Sequence, residues 1–303
     1  MRVLITGGTG FIGGAVVRQL SDLGHSILVL SRGNQPPSGW GNNARLVHWK
    51  GPEVDIPEEA CDGIDAVINL AGESIGAKRW TIKRKDQIFE SRIQTTRRLA
   101  ARIAAMPVKP KLFISGSAVG YYGPHGNEEI TEASLPGSDF LAVVCSHWEE
   151  EAKAVVRSGV RLALLRIGVV LGPGGGALPR MMLPFKLFVG GPVGSGRQVL
   201  SWIHRDDLVG LICFALANDH VSGPINATAP QAVTNREFAR VLGRVMGRPA
   251  FLPTPGLILR LVLGEMADLV LTGQRVIPKR ALEYKFAFQH PELEGALKNV
   301  LGR

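Results

Sequence analysis

The chain has 303 residues, of which 45% are hydrophobic and 20% charged, a balance that buries a sizeable core and excludes a chain disordered as a whole. That length suits one large α/β domain or two fused lobes. The net charge of +9 is dispersed apart from Lys78-Arg79 through Lys83-Arg84-Lys85, and no zinc knuckle, RNP-type strand or basic heptad array accompanies it, so no nucleic-acid partner is expected.

Arg2–Thr6 reads as a strand, with no signal-peptide pattern before it. Phe11–Leu23 is predicted as a helix with Ile12, Val16, Val17, Leu20 and Leu23 on one face, ended by Gly24. Ser26–Ser31 is the next strand, residues 33–44 a loop, and Leu46–Trp49 a short strand. The near-continuous apolar run Asp65–Leu70 marks a strand buried on both faces. A long helix over 82–105, a strand over Lys111–Ser115, a helix over Phe140–Arg157 and a strand over Arg161–Val170 follow. This alternation predicts a Rossmann-type α/β fold, a doubly wound parallel sheet, over residues 1–171. Gly172-Pro173-Gly174-Gly175-Gly176 breaks the rhythm. Residues 172–303 are expected to form a smaller C-terminal substrate lobe, with parts of 200–230 woven back into the sheet and clear helices at Asn235–Met246 and Glu292–Leu301.

Between the first strand and helix lies Thr6-Gly7-Gly8-Thr9-Gly10-Phe11-Ile12-Gly13, with G-x-x-G-x-x-G spacing. Gly7 permits the sharp turn, Gly10 lets a pyrophosphate approach the backbone, and Gly13 lets helix and strand pack closely. The helix start offers free N–H groups to phosphate. The second strand ends in Ser31-Arg32-Gly33, where an NAD-binding chain places an acid on the ribose 2′-hydroxyl. An arginine there binds a 2′-phosphate, so NADP(H) is the expected cofactor; a surface arginine at a strand end is the alternative. On the helix over 82–105, Ile88, Arg92, Thr95, Thr96, Leu99 and Ile103 share a face, so Arg92 interrupts an inward stripe and needs a partner, either the cofactor or Glu73. Gln87 is a further polar candidate.

Three later segments carry a family resemblance: Asn69-Leu70-Ala71-Gly72, Ser115-Gly116-Ser117-Ala118-Val119-Gly120-Tyr121-Tyr122-Gly123, and Trp202-Ile203-His204-Arg205-Asp206-Asp207-Leu208. With the glycine turn, they resemble the extended short-chain dehydrogenase/reductase superfamily of NAD(P)-dependent sugar-nucleotide epimerases and dehydratases. Ser91-Arg92, Thr95-Thr96, Trp148-Glu149, Gly190-Gly191-Pro192 and Gly273-Gln274-Arg275 resemble an atypical epimerase-like subfamily with a distinct C-terminal segment. The resemblance implies cofactor contacts from Gly7, Thr9, Gly10, Phe11, Ile12, Gly13, Ser31, Arg32, Leu70, Ala71, Gly72, Glu73, Gln87, Arg92 and Val170. It also implies a substrate-orienting serine, matched by Ser117.

The superfamily's Tyr-x-x-x-Lys pair is absent. Leu141 and Cys145 stand in those places, and a leucine carries no proton. Tyr121 and Tyr122, just past Ser117, are the candidate stand-in acids, with packing under the loop as the alternative. Cys145 reads as a buried helix cysteine. The position two residues before Trp202 is Leu200, where epimerases often hold a diphosphate-binding arginine. The expectation is an NADP(H)-binding oxidoreductase acting on an unidentified small molecule, with a non-catalytic NADP(H)-binding redox sensor or partner-binding module as the alternative. Three scattered cysteines fit a reducing cytoplasm and no metal site, and no apolar run is long enough to span a bilayer. A monomer or homodimer is expected.

Overall fold

In strand β1 (Arg2–Thr6), Val3 and Ile5 join one hydrophobic cluster while Leu4 joins another, so the strand is apolar on both faces. This and the following elements belong to the computed structural model, which describes residues 1–37 and 39–303. Helix α1 (Gly13–Asp22) leads to β2 (Ser26–Ser31), β3 (Ala44–His48) and β4 (Ala66–Asn69). Then come α2 (Ile82–Ala105), β5 (Leu112–Ala118), β6 (Glu129–Ile130), α3 (Phe140–Lys153) and β7 (Arg161–Ile167). The second half contains β8 (Val169–Leu171), α4 (Leu178–Lys186), β9 (Val199–Leu200), β10 (Trp202–His204), α5 (Arg205–Ala217) and β11 (Gly223–Ala227). After these follow β12 (Val233–Thr234), α6 (Asn235–Met246), α7 (Gly256–Leu263), α8 (Asp268–Leu271), β13 (Arg275–Val276), α9 (Lys279–Glu283) and α10 (Leu293–Val300).

Seven parallel strands form the central sheet in the order β11-β7-β5-β4-β1-β2-β3. The chain winds outward from β1 to β3 and returns on the other side at β4. Such a reversal opens a crevice beyond the carboxyl ends of the strands. Val16, Val17 and Leu20 of α1 and Leu208, Leu211 and Ile212 of α5 pack on one face. Leu99 and Ile103 of α2 and Ala152 of α3 pack on the other. Thr81 and Asp139 accept from the Arg84 and Ala142 amides and so start α2 and α3. A separate cluster gathers Phe238 and Leu242 of α6 with Leu293 and Leu297 of α10.

Several boundaries differ from the sequence reading. The run Arg161–Val170 is not one strand: it breaks at Gly168, and β8 leaves the central sheet to pair with β10. A β-carbon at Gly168 would lie 2.7 Å from the Ser201 carbonyl oxygen, so the close approach of the β10 chain requires glycine. The expected helix Phe140–Arg157 ends at Lys153 and tightens into a 3₁₀ turn over Ala154–Ser158, capped by left-handed Gly159. Of the loop expected over 33–44, Ser38 lies outside the described residues.

Candidate functional site

The glycine turn leads into α1 with no side-chain cap and no acidic residue in the first turn, which leaves the helix's amino end available to an anion. Gly7 sits at φ +73°, and a β-carbon there would press within 2.6 Å of the Leu70 backbone, so β1 and the end of β4 meet only through glycine. Gly13 is buried against the turn; a β-carbon would lie 2.8 Å from Gly8 Cα. Thr9 and Gly10 are exposed, and the nearest atom to a β-carbon on Gly10 is the Gly7 oxygen at 3.2 Å. The Phe11 ring is covered by the Gly172–Gly176 loop, since β-carbons at Gly172, Gly175 and Gly176 would all meet it. Arg205 holds that loop by donating to the Pro173 carbonyl at 3.2 Å.

At the end of β2, the Ser31 hydroxyl accepts the Gly33 amide at 3.1 Å, shaping the turn that presents Arg32. The Arg32 side chain is 77% exposed and meets Glu73 at 3.6 Å. Glu73 is not the partner of Arg92. Its other oxygen pairs with Arg84 at 3.1 Å, and Gln87 accepts from the same Arg84 nitrogen at 3.1 Å. Glu73 and Gln87 therefore hold Arg84, a buried cation that the sequence reading places only within the dense basic stretch at the helix start. The available signal was its spacing: Arg84 precedes Ile88 by four residues and so extends the inward stripe.

Arg92 donates to the Ile88 carbonyl at 3.0 Å, stacks over Trp148 at 5.3 Å, and lies against Gly72, where a β-carbon would come within 3.0 Å of its guanidinium carbon. Its pKa is lowered, chiefly by burial, with Cys145 and Glu73 opposing that shift. Ala71 turns the chain there, its amide reaching Asn69 Oδ1 at 3.4 Å.

A cavity of about 650 Å³ opens at the carboxyl ends of β4, β5 and β7. Phe11, Ile12, Leu70, Arg92, Ser117 and Val170 all line it, as do Leu141 and Cys145. Burial pushes the Cys145 thiol up to about 12, so it holds its proton at neutral pH. One wall comes from the C-terminal segment through Leu269, Thr272, Gly273 and Gln274, which sequence reasoning missed because only long-range packing brings them here.

The structure corrects the reading of the two tyrosines, neither of which lines the cavity. Tyr122 is fully buried; its hydroxyl donates to Asn226 at 2.6 Å and accepts from Arg166 at 2.9 Å. Burial pushes its pKa up to about 12 against the opposing pull of Arg166. The Tyr121 ring lies under the Arg166 guanidinium at 3.5 Å. Arg166 in turn makes a bidentate pair with Glu149, 2.8 Å on each side, with side chains only 4% and 2% exposed. Burial opposes the Arg166 charge, but Glu149 outweighs it and holds the arginine pKa above its ordinary value. Ser117 lines the cavity, yet its hydroxyl donates inward to Glu149 at 2.7 Å.

His204, fully buried, caps α5 by accepting the Asp206 amide on Nδ1 at 3.1 Å. Asp207 accepts the Gln289 and His290 amides at 2.6 and 3.0 Å, linking α5 to the C-terminal segment. His204, Asp206 and His290 bring ligand-type atoms within 4.8 Å of one another, but the Nδ1 lone pair is engaged in the cap, so the group reads as a structural joint. Burial, with His290 stacked at 3.9 Å and Arg205 nearby, lowers the His204 pKa to about 4, and Asp206 only partly opposes this. The unfolded chain, with an ordinary imidazole near 6.5, therefore takes up a proton first as pH falls. Stability from this site is complete above pH 6.5 and lost between 6.5 and 4. Denaturant unfolding should show the stability contributed here falling as pH drops from 7.5 to 5. His204→Asn, which keeps a capping acceptor, should remove that part of the pH slope; an identical slope in the variant would assign the titration elsewhere.

The family model described as "NAD dependent epimerase/dehydratase family" matches residues 3–227, and that of a domain of unknown function, DUF1731, matches residues 254–300. Epimerase family protein SDR39U1 of Mus musculus is 42% identical over 305 residues, covering 99% of this chain and 100% of the relative. Epimerase family protein YfhF of Bacillus subtilis (strain 168) is 41% identical over 302 residues, covering 99% and 98%. A crystal structure of human epimerase family protein SDR39U1 (isoform2) with NADPH matches with a TM-score of 0.89 at 38% identity, covering 100% of both chains.

Proposed function

Because the chain belongs to the NAD dependent epimerase/dehydratase family, we propose that it binds NADP(H) and acts as an epimerase-like oxidoreductase on a small molecule held in the cavity. One observation carries the reading: the uncapped amino end of α1 behind the exposed Gly10, continuous through Ile12 with the cavity. The human relative, crystallised with NADPH, supports the same cofactor. In this reading the amides of the Gly7–Gly13 turn hold the pyrophosphate, Arg32 holds the 2′-phosphate, and Arg92, Leu70 and Val170 surround the nicotinamide half. Bound NADPH supplies a hydride. Residues 1–171 carry the cofactor, and 172–303 complete the substrate lobe. Three free cysteines fit a reducing compartment such as the cytoplasm, and among the described residues no helix is long and apolar enough to cross a membrane.

Leu141 leaves the family's proton-donor position without an ionisable group, and the hydroxyls of the cavity wall are engaged elsewhere. Ser117 donates to Glu149, Ser201 to the Gln274 carbonyl and Thr272 to the Asp268 carbonyl. This favours a second reading, in which the protein binds NADP(H) and a ligand without rapid turnover, as a sensor does. Turnover with NADPH across a panel of carbonyl compounds separates the two readings: tight binding with no turnover supports the sensor.

The cofactor itself is tested by titration calorimetry. A charge-assisted contact contributes about 1.5–3 kcal/mol, so NADPH is expected to bind at least about tenfold tighter than NADH. Arg32→Asp should reverse that order. Equal affinities in the wild type would remove Arg32 from the site.

A further inference from the structure

We propose that the cavity beside the cofactor takes an uncharged, predominantly apolar carbonyl compound, an aromatic or alicyclic ketone or aldehyde, in place of a sugar nucleotide. The inference rests on the cofactor reading above and concerns the ligand that shares its cavity. Trp80 and Phe140 meet edge to face at 5.2 Å on this wall, and Ile75, Leu141, Leu200 and Leu269 extend the apolar surface.

Most polar side chains of the same wall are turned to the protein; the exceptions are Trp148 Nε1, which has no hydrogen-bond partner among the described residues, and Arg92, which gives one donor to the Ile88 carbonyl. Trp80 Nε1 donates to the Ile75 carbonyl at 2.8 Å. Ser201 bridges the Gln274 carbonyl at 2.7 Å and the Val276 amide at 2.9 Å, while Gln274 Nε2 donates to the Val119 carbonyl at 2.9 Å. Thr272 donates to the Asp268 carbonyl at 2.7 Å, and Ser117 to Glu149. A sugar's hydroxyls would meet few free partners, and desolvating them without hydrogen bonds is costly.

Charge points the same way. Among the described residues that line it, Arg92 is the one cation, whereas Asp139, Glu265 and Asp268 are carboxylates. Asp139 caps α3, Glu265 pairs with Lys85, and Asp268 pairs with Arg260 at 2.9 Å. A diphosphate entering here would meet a wall with more acids than bases and no forked donor in place of Leu200. An apolar wall with few oriented polar groups suits an uncharged ligand that a single carbonyl orients. The Glu265–Lys85 pair also ties the C-terminal segment to α2 at the cavity, so this segment shapes the wall that selects the ligand.

The test uses the full chain with NADPH added and two probes, 2-acetonaphthone and UDP-glucose, followed by ligand-observed saturation-transfer NMR and calorimetry. NADPH fluorescence titration is run on the same samples. The expected result is saturable binding of 2-acetonaphthone and at least about tenfold weaker binding of UDP-glucose. Leu269→Asp and Leu141→Asp, on two different elements, should each weaken the ketone at least about tenfold while NADPH still saturates. Saturable UDP-glucose binding tighter than the ketone overturns the proposal, as does ketone binding unaffected by both variants. NADPH saturation with no ketone binding overturns it too and leaves the cofactor reading standing. Failure of NADPH to saturate the wild type removes the cofactor reading itself.

Discussion

Glu149→Gln is expected to destabilise the protein by about 3–5 kcal/mol, because it leaves the buried Arg166 charge without its counter-charge. Glu149 accepts from Arg166 Nε and Nη2 at 2.8 Å and from the Ser117 hydroxyl at 2.7 Å. The loss should appear as a lower denaturant midpoint with an unchanged slope. Replacing both partners, as in Glu149→Leu with Arg166→Met, should cost clearly less than the sum of the two single changes, since the double variant buries no lone charge. Additive losses would mean that the pair contributes nothing beyond its separate contacts. Glu149→Leu also bears on chemistry: it removes the oxygen that accepts the Ser117 hydroxyl proton and draws it away from the cavity, whereas glutamine keeps an acceptor there.

This network also marks where local sequence order stops being informative. Tyr121 and Tyr122 follow β5 immediately, so chain position alone puts them at the cleft mouth. Arg166, on the adjacent strand β7, instead draws Tyr122 inward through a 2.9 Å hydrogen bond and covers the Tyr121 ring. Nothing near the tyrosines in sequence announces that partner. The glycine turn was legible for the opposite reason. At Gly10 and Gly13 its constraints lie against near neighbours in sequence, Gly7 and Gly8, and the apolar spacing of α1 reports its packing face directly. Even there the helix begins at Gly13 and not at Phe11, because Phe11 belongs to the turn and its ring meets a loop far along the chain. The long helix α2 was legible as an element and its stripe as a face. The identity of the inward cation's partner was not, since Glu73 reaches Arg84 and Arg32 in place of Arg92. The substrate wall was the least legible part. Residues after Gly264 reach the cavity through long-range contacts: β13 pairs with β6, Ser201 fastens Gln274 and Val276, and Glu265 pairs with Lys85.

Gly10→Val should abolish NADPH binding, with affinity falling at least about a hundredfold, or roughly 2.7 kcal/mol. The same substitution should leave thermal unfolding of the cofactor-free protein close to wild type. The two effects separate because Gly10 is exposed and, among the described residues beyond its chain neighbours, the Gly7 oxygen alone lies near its β-carbon position, at a distance met by a shift of a few tenths of an ångström. A branched side chain there projects into the space before the uncapped end of α1, where a phosphate must approach the amides. Gly13→Val is the contrasting case. Its β-carbon would press against backbone at Gly7 and Gly8, so the cofactor-free fold itself should lose about 1–3 kcal/mol or more through overpacking. Fluorescence titration with NADPH and calorimetric unfolding of both variants distinguish an anion cradle from a merely tight turn. If Gly10→Val saturates at wild-type concentrations of NADPH, the pyrophosphate does not lie over this turn. If Gly10→Val unfolds as readily as Gly13→Val, the conformation of the turn, and not access to it, is what glycine preserves at that position.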